Sequence, residues 1–592
     1  MDEKWVLETK RADFKQLGED LNISPVLARL LVNRGYHSIE EMKRYLECNL
    51  SMLHDGRLMK DMDKAVFLLT KAILDEEKIA IGTDFDNDGI ISGYTIHRAI
   101  HRVGGEAYLY APDRVSEGYG LNRRIVDDAM KAGCRILVTC DNGIAAFDAI
   151  TYAKSLEMTV IVTDHHEVAF EEDSEGLRHY ILPAADAIVN PKQQACPYPF
   201  KGLCGAGIVF KLITLLYQEF GIPCEEAYDL LEYTAIATVA DVMDLVDENR
   251  IIVKYGLDRL RKTKNIGLRA LMQECSVQME RVSAYHIGYI IGPCFNAAGR
   301  LDTVAMAFDL LQSSQEEEAK VYAKNLRDLN EERKEQTQQG LHQAIDIVET
   351  TKIKEDKVLL VKLKDTHESL VGIIAGRLRE QYHKPSIVCV ETSHGMKGSG
   401  RSIEAYHMFE ELLKCKDLLS KFGGHPMAAG LSFPNENFEE LKKRLNENSS
   451  LSQEDFIPKI RIDVPLPIGY LDFSFMKELE RLEPFGKGNV KPVFAEQHFN
   501  VQQAKIIGKN QNMLKLKLTN LEGSIIDALY FGNIEKFLAF VDSEFGEEES
   551  RKMFFGKQNS IDLAFTYYPT INDYMGKQNI QIIIQNYCRI KK

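Results

Sequence analysis

The chain opens on a helical rhythm. In SPVLARLLVNRG and DMDKAVFLLTKAI the apolar residues recur every three to four positions, with Gly35 as a stop, which predicts a helical segment over residues 1–75 that belongs to the lobe after it. From residue 76 the pattern changes. KIAIGTD, AYLYAPD, RILVTCD, TVIVTDHH and DAIVNP are short apolar or β-branched runs, most of them separated by segments of helical length, the pattern of a mostly parallel sheet over residues 76–315. Residues 316–350 are rich in good helix formers and polar through their middle. They predict either a single helix of roughly 50 Å joining two lobes or a surface helix broken near Gly340. A second α/β unit over 351–455 carries KVLLVKL, LVGIIAGRLREQY and PSIVCV, with glycine clusters at KGSGRS and KFGGHPMAAG. From 456 to 592 strict alternation, as in MLKLKLTN and IDLAFTYY, predicts a small antiparallel β-barrel. The expected fold class is α/β, with two α/β lobes joined by a long helix and followed by a barrel.

Composition adds exclusions. A length of 592 residues implies several domains. No apolar run reaches the roughly 18 residues that span a bilayer, and MDEKWVLETKRADF lacks a signal-peptide core, so a cytoplasmic protein without membrane association is expected. The 11 cysteines are scattered without a CxxC pair, which disfavours a disulfide framework or a zinc ribbon. A net charge of -15 argues against indiscriminate coating of nucleic acid, yet residues 456–592 hold 18 Lys plus Arg against 16 Asp plus Glu, so the acidic excess lies upstream. Trp5, the only tryptophan, is expected to anchor the N-terminal segment by packing.

The acidic excess is organised. DFDNDG places Asp84, Asp86 and Asp88 directly after a strand; a calcium loop would need a glutamate at position 95, where the chain has Thr95. RILVTCDNG puts Asp141 after the next such strand, and TVIVTDHH adds Asp164, His165 and His166. Loops after the strand C-termini of an open parallel sheet converge on one edge, where ligands bind. So many anions in one crevice require cations, and mixed carboxylate and imidazole donors suit Mn²⁺ or Mg²⁺. Asp241, which interrupts the apolar YTAIATVADVMDL, calls for a metal or a cationic partner. Two cations about 3.5 to 4 Å apart would activate water and stabilise an in-line phosphoryl displacement.

DFDNDG, VTCDNG, VTDHH and ATVADVMDL together resemble the four metal motifs of the DHH phosphoesterase superfamily. LPAADAIVNPKQQACPYPFKGLCGAG, GPCFNAAGRL, GSGRS, FGGHPMAAG and LEPFGKGNVKPVF then follow in the order and spacing of its RecJ family of single-strand-specific 5′→3′ DNA exonucleases. The resemblance covers nearly the whole chain. It implies a DHH catalytic domain at 76–315, a connecting helix at 316–350, a DHH-associated domain at 351–455 and an OB-fold at 456–592. It also implies two divalent cations, one held by Asp84, Asp86 and Asp141 and the other by Asp88, Asp141, His165 and Asp241. His166 would contact the scissile phosphate, and Asp164 would orient a histidine from behind.

The resemblance further assigns phosphate contacts. KGSGRS offers Arg401 and Ser402 on a glycine-rich turn that grips the 5′ end, with Arg114 of APDRVSEGYG as a helper, while Arg300 and His425 line the same cleft. Arg300 as a plain ion-pair partner and the glycines around His425 as a plain tight turn remain open. Where relatives usually carry a basic residue, this chain has Cys294. Lys515 and Lys517, on alternate positions of a barrel strand, fit an OB-type groove for single strands. The implied function is hydrolysis of single-stranded DNA from the 5′ end to 5′-mononucleotides in repair and recombination, by a monomer working with a single-strand-binding protein and a helicase. Two other readings stay open: a phosphodiesterase of short oligonucleotides or cyclic dinucleotides, and a catalytically inactive DNA-binding relative.

Overall fold

The computed structural model describes residues 3–114, 117–173, 177–508, 510–574 and 576–590. The chain forms two compact units. One holds residues 55–241 and 256–459; the other holds 5–54, 242–255 and 460–592.

In the first unit β1 (Lys78–Thr83) leads into α1 (Asn87–Arg102), followed by β2 (Glu106–Tyr110), β3 (Ile136–Cys140), β4 (Thr159–Thr163) and β5 (Ala187–Val189). These strands form a wholly parallel sheet in the order β2-β1-β3-β4-β5. Ile79, Ala80, Ile81, Leu137, Val138, Val160, Ile161 and Val162 are all buried, as a sheet covered on both faces requires. α2 (Gly205–Glu219) and α3 (Leu231–Ala240) pack with α1, and α4 (Ile266–Glu274) and α5 (Gly292–Leu301) also belong to this lobe. At 93 a glycine is needed for close approach, since a Cβ there would lie 2.2 Å from Thr83 Cγ2 on β1.

α6 (Glu316–Thr350) is one unbroken helix of 35 residues. Gly340 does not break it. That glycine is buried where an added Cβ would meet Ile374 at 2.6 Å, so it serves packing. α6 packs on α4 and α5 and also on the second lobe, built from β6 (Leu359–Leu363), α7 (Val371–Tyr382), β7 (Ser386–Thr392), β8 (Gly395–Arg401), β9 (Lys421–His425) and β10 (Ala428–Phe433). The second sheet runs β9-β10-β8-β7-β6, parallel only between β6 and β7.

The other unit contains the barrel. β11 (Phe494–Ile507), β12 (Met513–Asn520), β13 (Ile525–Tyr530), β14 (Asp562–Tyr574) and β15 (Lys577–Cys588) pair in the order β11-β12-β13-β15-β14, and β14 closes back on β11. The expectation of a purely antiparallel barrel is corrected, because β13 and β15 run parallel. Residues 5–54 also depart from expectation. Leu27, Leu30 and Leu31 of the helix Pro25–Asn33 share one core with Phe494, Phe499, Leu514, Leu516 and Leu518, so these helices belong to the unit of the barrel and not to that of the parallel sheet. Trp5 is only partly buried and lines a surface groove of this unit instead of its core. On β12 the leucines point into the barrel and Lys515 and Lys517 point outward, with Lys515 paired to Asp527 at 2.7 Å. Among the described residues no helix is long and apolar enough to cross a membrane.

Candidate active site

The expected loops converge at the C-terminal edge of the parallel sheet. Asp84 follows β1, Asp86 is the N-cap of α1 and accepts from Gly89 N at 3.1 Å, and Asp88 lies in the first helical turn. Asp88 is held by the N-terminus of α2, where Gly205 N (2.6 Å) and Ala206 N (2.9 Å) donate to its two oxygens. Asp141, after β3, adopts the left-handed conformation at φ 62°. Asp241 does not interrupt its helix as expected. It is the C-cap of α3, and its side chain is 28% exposed, which lets it face the crevice without the cost of full burial.

Three groups of donors result: Asp84, Asp86 and Asp141; Asp88, His165 and Asp241; and Asp141, His165 and His166. Within each, candidate ligand atoms lie within 4.8 Å of one another. His165 Nε2 is 3.0 Å from Asp141 Oδ1 and 3.7 Å from both Asp88 Oδ2 and Asp241 Oδ2. Burial and the neighbouring Asp86 push Asp84 up to about 8, and burial with Asp88 and Asp86 raises Asp141 far above the carboxylate range. Asp84 Oδ2 and Asp141 Oδ1 are buried and accept no hydrogen bond among the described residues. Buried carboxylates left in this state are costly, and hard divalent cations would relieve them, so the donor set fits Mn²⁺ or Mg²⁺.

Asp164 has a different task. Its Oδ2 accepts from Ile144 N at 2.8 Å, and its Oδ1 accepts from His165 N (2.7 Å), His166 N (3.0 Å) and His166 Nδ1 (2.7 Å). Burial works against its charge, but these bonds outweigh that and hold it below the usual carboxylate range. For His166 burial opposes protonation, and the bond to Asp164 prevails and raises it. Burial lowers His165, keeping it neutral as a ligand must be. With Nδ1 committed to Asp164, His166 presents Nε2 from a side chain that is 44% exposed.

Arg114 and Arg300 come close to the same carboxylates, and Arg401 lies near Arg300. Arg300, near the end of α5, donates to Ser369 O of the second lobe at 2.6 Å; burial and the nearby Arg114, Arg333 and Arg401 lower it to about 10, with Asp86 acting the other way. Arg114 stacks 4.6 Å over the Phe85 ring and is attracted by Asp84 and Asp86. Arg401 is not on a turn. It ends β8, its Nη1 donating to Ser399 Oγ and Gly400 O at 2.8 Å each. Ser402 is corrected as a substrate contact, because it is buried with its hydroxyl donating to Tyr406 O. The strand alternation turns Ser399 to the face of Arg401 instead. His425 is exposed on edge strand β9 opposite Ala428, which in turn pairs with Arg401, so both share one end of the sheet.

Three residues escaped sequence reasoning. Tyr119 donates to the backbone carbonyl of Asp141 at 2.7 Å, and its hydroxyl lies 3.1 Å from both ring nitrogens of His166. Its only signal is the adjacent Gly120, at φ 76°, whose N–H donates to Asp84. Arg333 comes from the polar middle of α6, and Ser399 was legible only once KGSGRS is read as a strand. Cys294 lies buried at 3.8 Å from Cys275 Sγ, with Asn330 Nδ2 at 3.6 Å.

Family models match in chain order: the DHH family N-terminal domain over residues 78–238, the DHHA1 domain over 355–450 and the RecJ OB domain over 462–586. The single-stranded-DNA-specific exonuclease RecJ of Haemophilus influenzae is 32% identical over 96% of this chain and 97% of its own length. The chain belongs to the RecJ family. RecJ of Bacillus subtilis is 35% identical over 90% of this chain, which spans 66% of that relative. The fold agrees as well, since the crystal structure of RecJ from Thermus thermophilus in complex with Mn²⁺ matches at a TM-score of 0.80 and 22% identity, over 100% of this chain and 80% of that one.

Proposed function

We propose that this RecJ-family chain hydrolyses single-stranded DNA from its 5′ end and releases 5′-mononucleotides, using two divalent cations, Mn²⁺ or Mg²⁺. The observation that carries the proposal is the sharing of Asp141 and His165 among the three donor groups, with buried oxygens of Asp84 and Asp141 that accept no hydrogen bond among the described residues. Asp84, Asp86 and Asp141 would hold one cation, and Asp88, Asp141, His165 and Asp241 the other. When bound, the pair supplies an activated water and neutralises charge on the phosphate under attack. The protein's own groups do the rest. His166, fixed through Nδ1 by Asp164, directs Nε2 to the scissile phosphate and carries positive charge there. Tyr119 holds the Asp141 backbone and flanks the His166 ring. Arg401, His425, Arg114 and Arg300 bind phosphates of the incoming strand, bidentate guanidinium contacts favouring a terminal phosphate.

The barrel would bind the single strand upstream, and the family resemblance supports a cytoplasmic monomer acting in repair and recombination beside a single-strand-binding protein and a helicase. The test uses long single strands labelled at either end, with Mn²⁺, Mg²⁺ or chelator. Mononucleotides released only from the 5′ side, and lost with chelator, are expected. Cleavage from the 3′ end, or activity confined to oligomers of a few nucleotides, would overturn the proposal.

A further inference from the structure

The lobe of the parallel sheet holds a second cavity, of about 640 Å³, remote from the metal crevice. It lies at the other ends of two helices already described. Arg98 and His101 stand near the C-terminus of α1, whose first turn carries Asp88, and Glu232 begins α3, whose C-cap is Asp241. At 1.5 Å per residue, the ten residues from Asp88 to Arg98 separate the two places by about 15 Å.

The lining concentrates positive charge in a chain whose net charge is -15. Arg98, Arg259, Lys262 and Lys264 face it, against Asp229 and Glu232. Burial raises Glu232 above its ordinary value, with Thr263, Tyr233 and Arg98 acting the other way. Two of the cations are held in place by their neighbours. Arg98 Nη1 donates to Tyr233 OH at 3.0 Å, its guanidinium lying 5.8 Å from that ring, which locks the head in place. Arg259 Nε is buried and makes no hydrogen bond among the described residues, its nearest carboxylate oxygen, on Asp229, standing 3.7 Å away. The N-terminus of α4 opens onto the same space through its N-cap Asn265, adding the positive end of a nine-residue helix. The volume falls in the range of small-molecule sites, roughly 300–1,000 Å³.

We infer that this cavity binds a small phosphorylated anion, no larger than a nucleotide, independently of the catalytic cations. Two guanidiniums, one held by an aromatic hydroxyl and one paired with Asp229 at 3.7 Å, together with two lysines and a helix N-terminus, form a phosphate cradle. A continuous strand fits less well, because further phosphates would meet Asp229 and Glu232. Inorganic phosphates and nucleoside phosphates share this chemistry.

The test is calorimetric titration of the full chain in chelator, with inorganic pyrophosphate, adenosine 5′-monophosphate, adenosine and an oligothymidylate as separate probes. Binding of pyrophosphate, of the nucleotide or of both, without binding of adenosine, is expected, and the tighter of the two anions identifies the source. The double variant Lys262→Glu/Lys264→Glu changes two exposed side chains and is expected to weaken that binding by at least tenfold, on the order of 1.4 kcal/mol. Lys262→Gln/Lys264→Gln should weaken it less and guards against a folding defect, checked by the melting temperature without ligand. Arg401→Ala, in the catalytic cleft, should leave it unchanged. The inference fails if neither anion binds, if binding survives both double variants, or if Arg401→Ala abolishes it. It also fails if only the oligothymidylate responds to the lysine variants, which would make the cavity a strand contact.

Discussion

Replacing Asp164 by asparagine separates orientation from metal binding. The carboxylate accepts four hydrogen bonds, three on Oδ1 and one on Oδ2. An asparagine has one oxygen, so its amide must confront either the Ile144 N–H or the three donors of the two histidines. The gentler choice leaves one buried donor unpaired, at about 1–3 kcal/mol. Loss of the charge also weakens the three bonds that remain, since charge-assisted bonds are roughly twice as strong as neutral ones. Together the loss of stability should be about 3–5 kcal/mol, read from urea unfolding of the metal-free protein. In the same variant His166 loses the anion that raises it. Its ring is then protonated only at lower pH and is held less firmly, so turnover on an end-labelled single strand should fall by roughly 10- to 100-fold. The pH range over which protonated His166 supports the rate should move downward, while KM changes little. Stability within about 1 kcal/mol of wild type, together with turnover within about threefold and an unmoved pH profile, would refute the orienting role.

Other perturbations give equally definite outcomes. In Gly205→Ala the new Cβ would lie 2.7 Å from Asp141 Cβ and 3.0 Å from Asp88 Oδ2, so Mn²⁺ affinity measured by titration should fall about 10- to 100-fold, and unchanged affinity would contradict the packing described. Asp84, raised in the folded metal-free chain to about 8 from an unfolded value of 3.8, keeps a proton that the unfolded chain releases. Stability of the metal-free protein should therefore fall as pH rises from about 4 to about 8, and the rise in melting temperature on adding Mn²⁺ should be larger at about pH 8 than at about pH 6. Arg401→Ala should raise KM roughly 10- to 100-fold for strands with a 5′-phosphate and much less for strands with a 5′-hydroxyl; equal effects on both would remove Arg401 from the 5′ end.

The metal loops were legible because the pattern of the buried strands fixes them. Buried parallel strands are continuous apolar runs, so the first polar residue after each run, Asp84, Asp141 or Asp164, must emerge at the sheet edge. Other parts lacked such a constraint. KGSGRS reads as a turn by its glycines, yet it is a strand in which Gly398 and Gly400 make room for Cys389 and Met408; a Cβ at either would come within 3.0 Å of a sulfur atom. That pairing sends Ser399 and Arg401 to one face and Ser402 into the core, which alternation alone could have shown had the segment been taken as extended. The helices before residue 54 carry a plain amphipathic stripe, and periodicity does not say which distant residues cover it. Here it is covered by side chains more than 400 positions later. Tyr119 reaches His166 from a loop with no periodicity at all, and the parallel pairing of β13 with β15 follows a long connection between β13 and β14 that holds the helices Ile534–Phe545 and Glu547–Phe554.

Whether Asp141 would be shared by two cations is tested most directly by electron paramagnetic resonance of the Mn²⁺-loaded protein during titration. The proposed sharing predicts two ions per chain with an exchange-coupled spectrum in the wild type, and loss of that coupling in Asp141→Asn. A single uncoupled ion in the wild type, or a coupled pair that persists in Asp141→Asn, would contradict it.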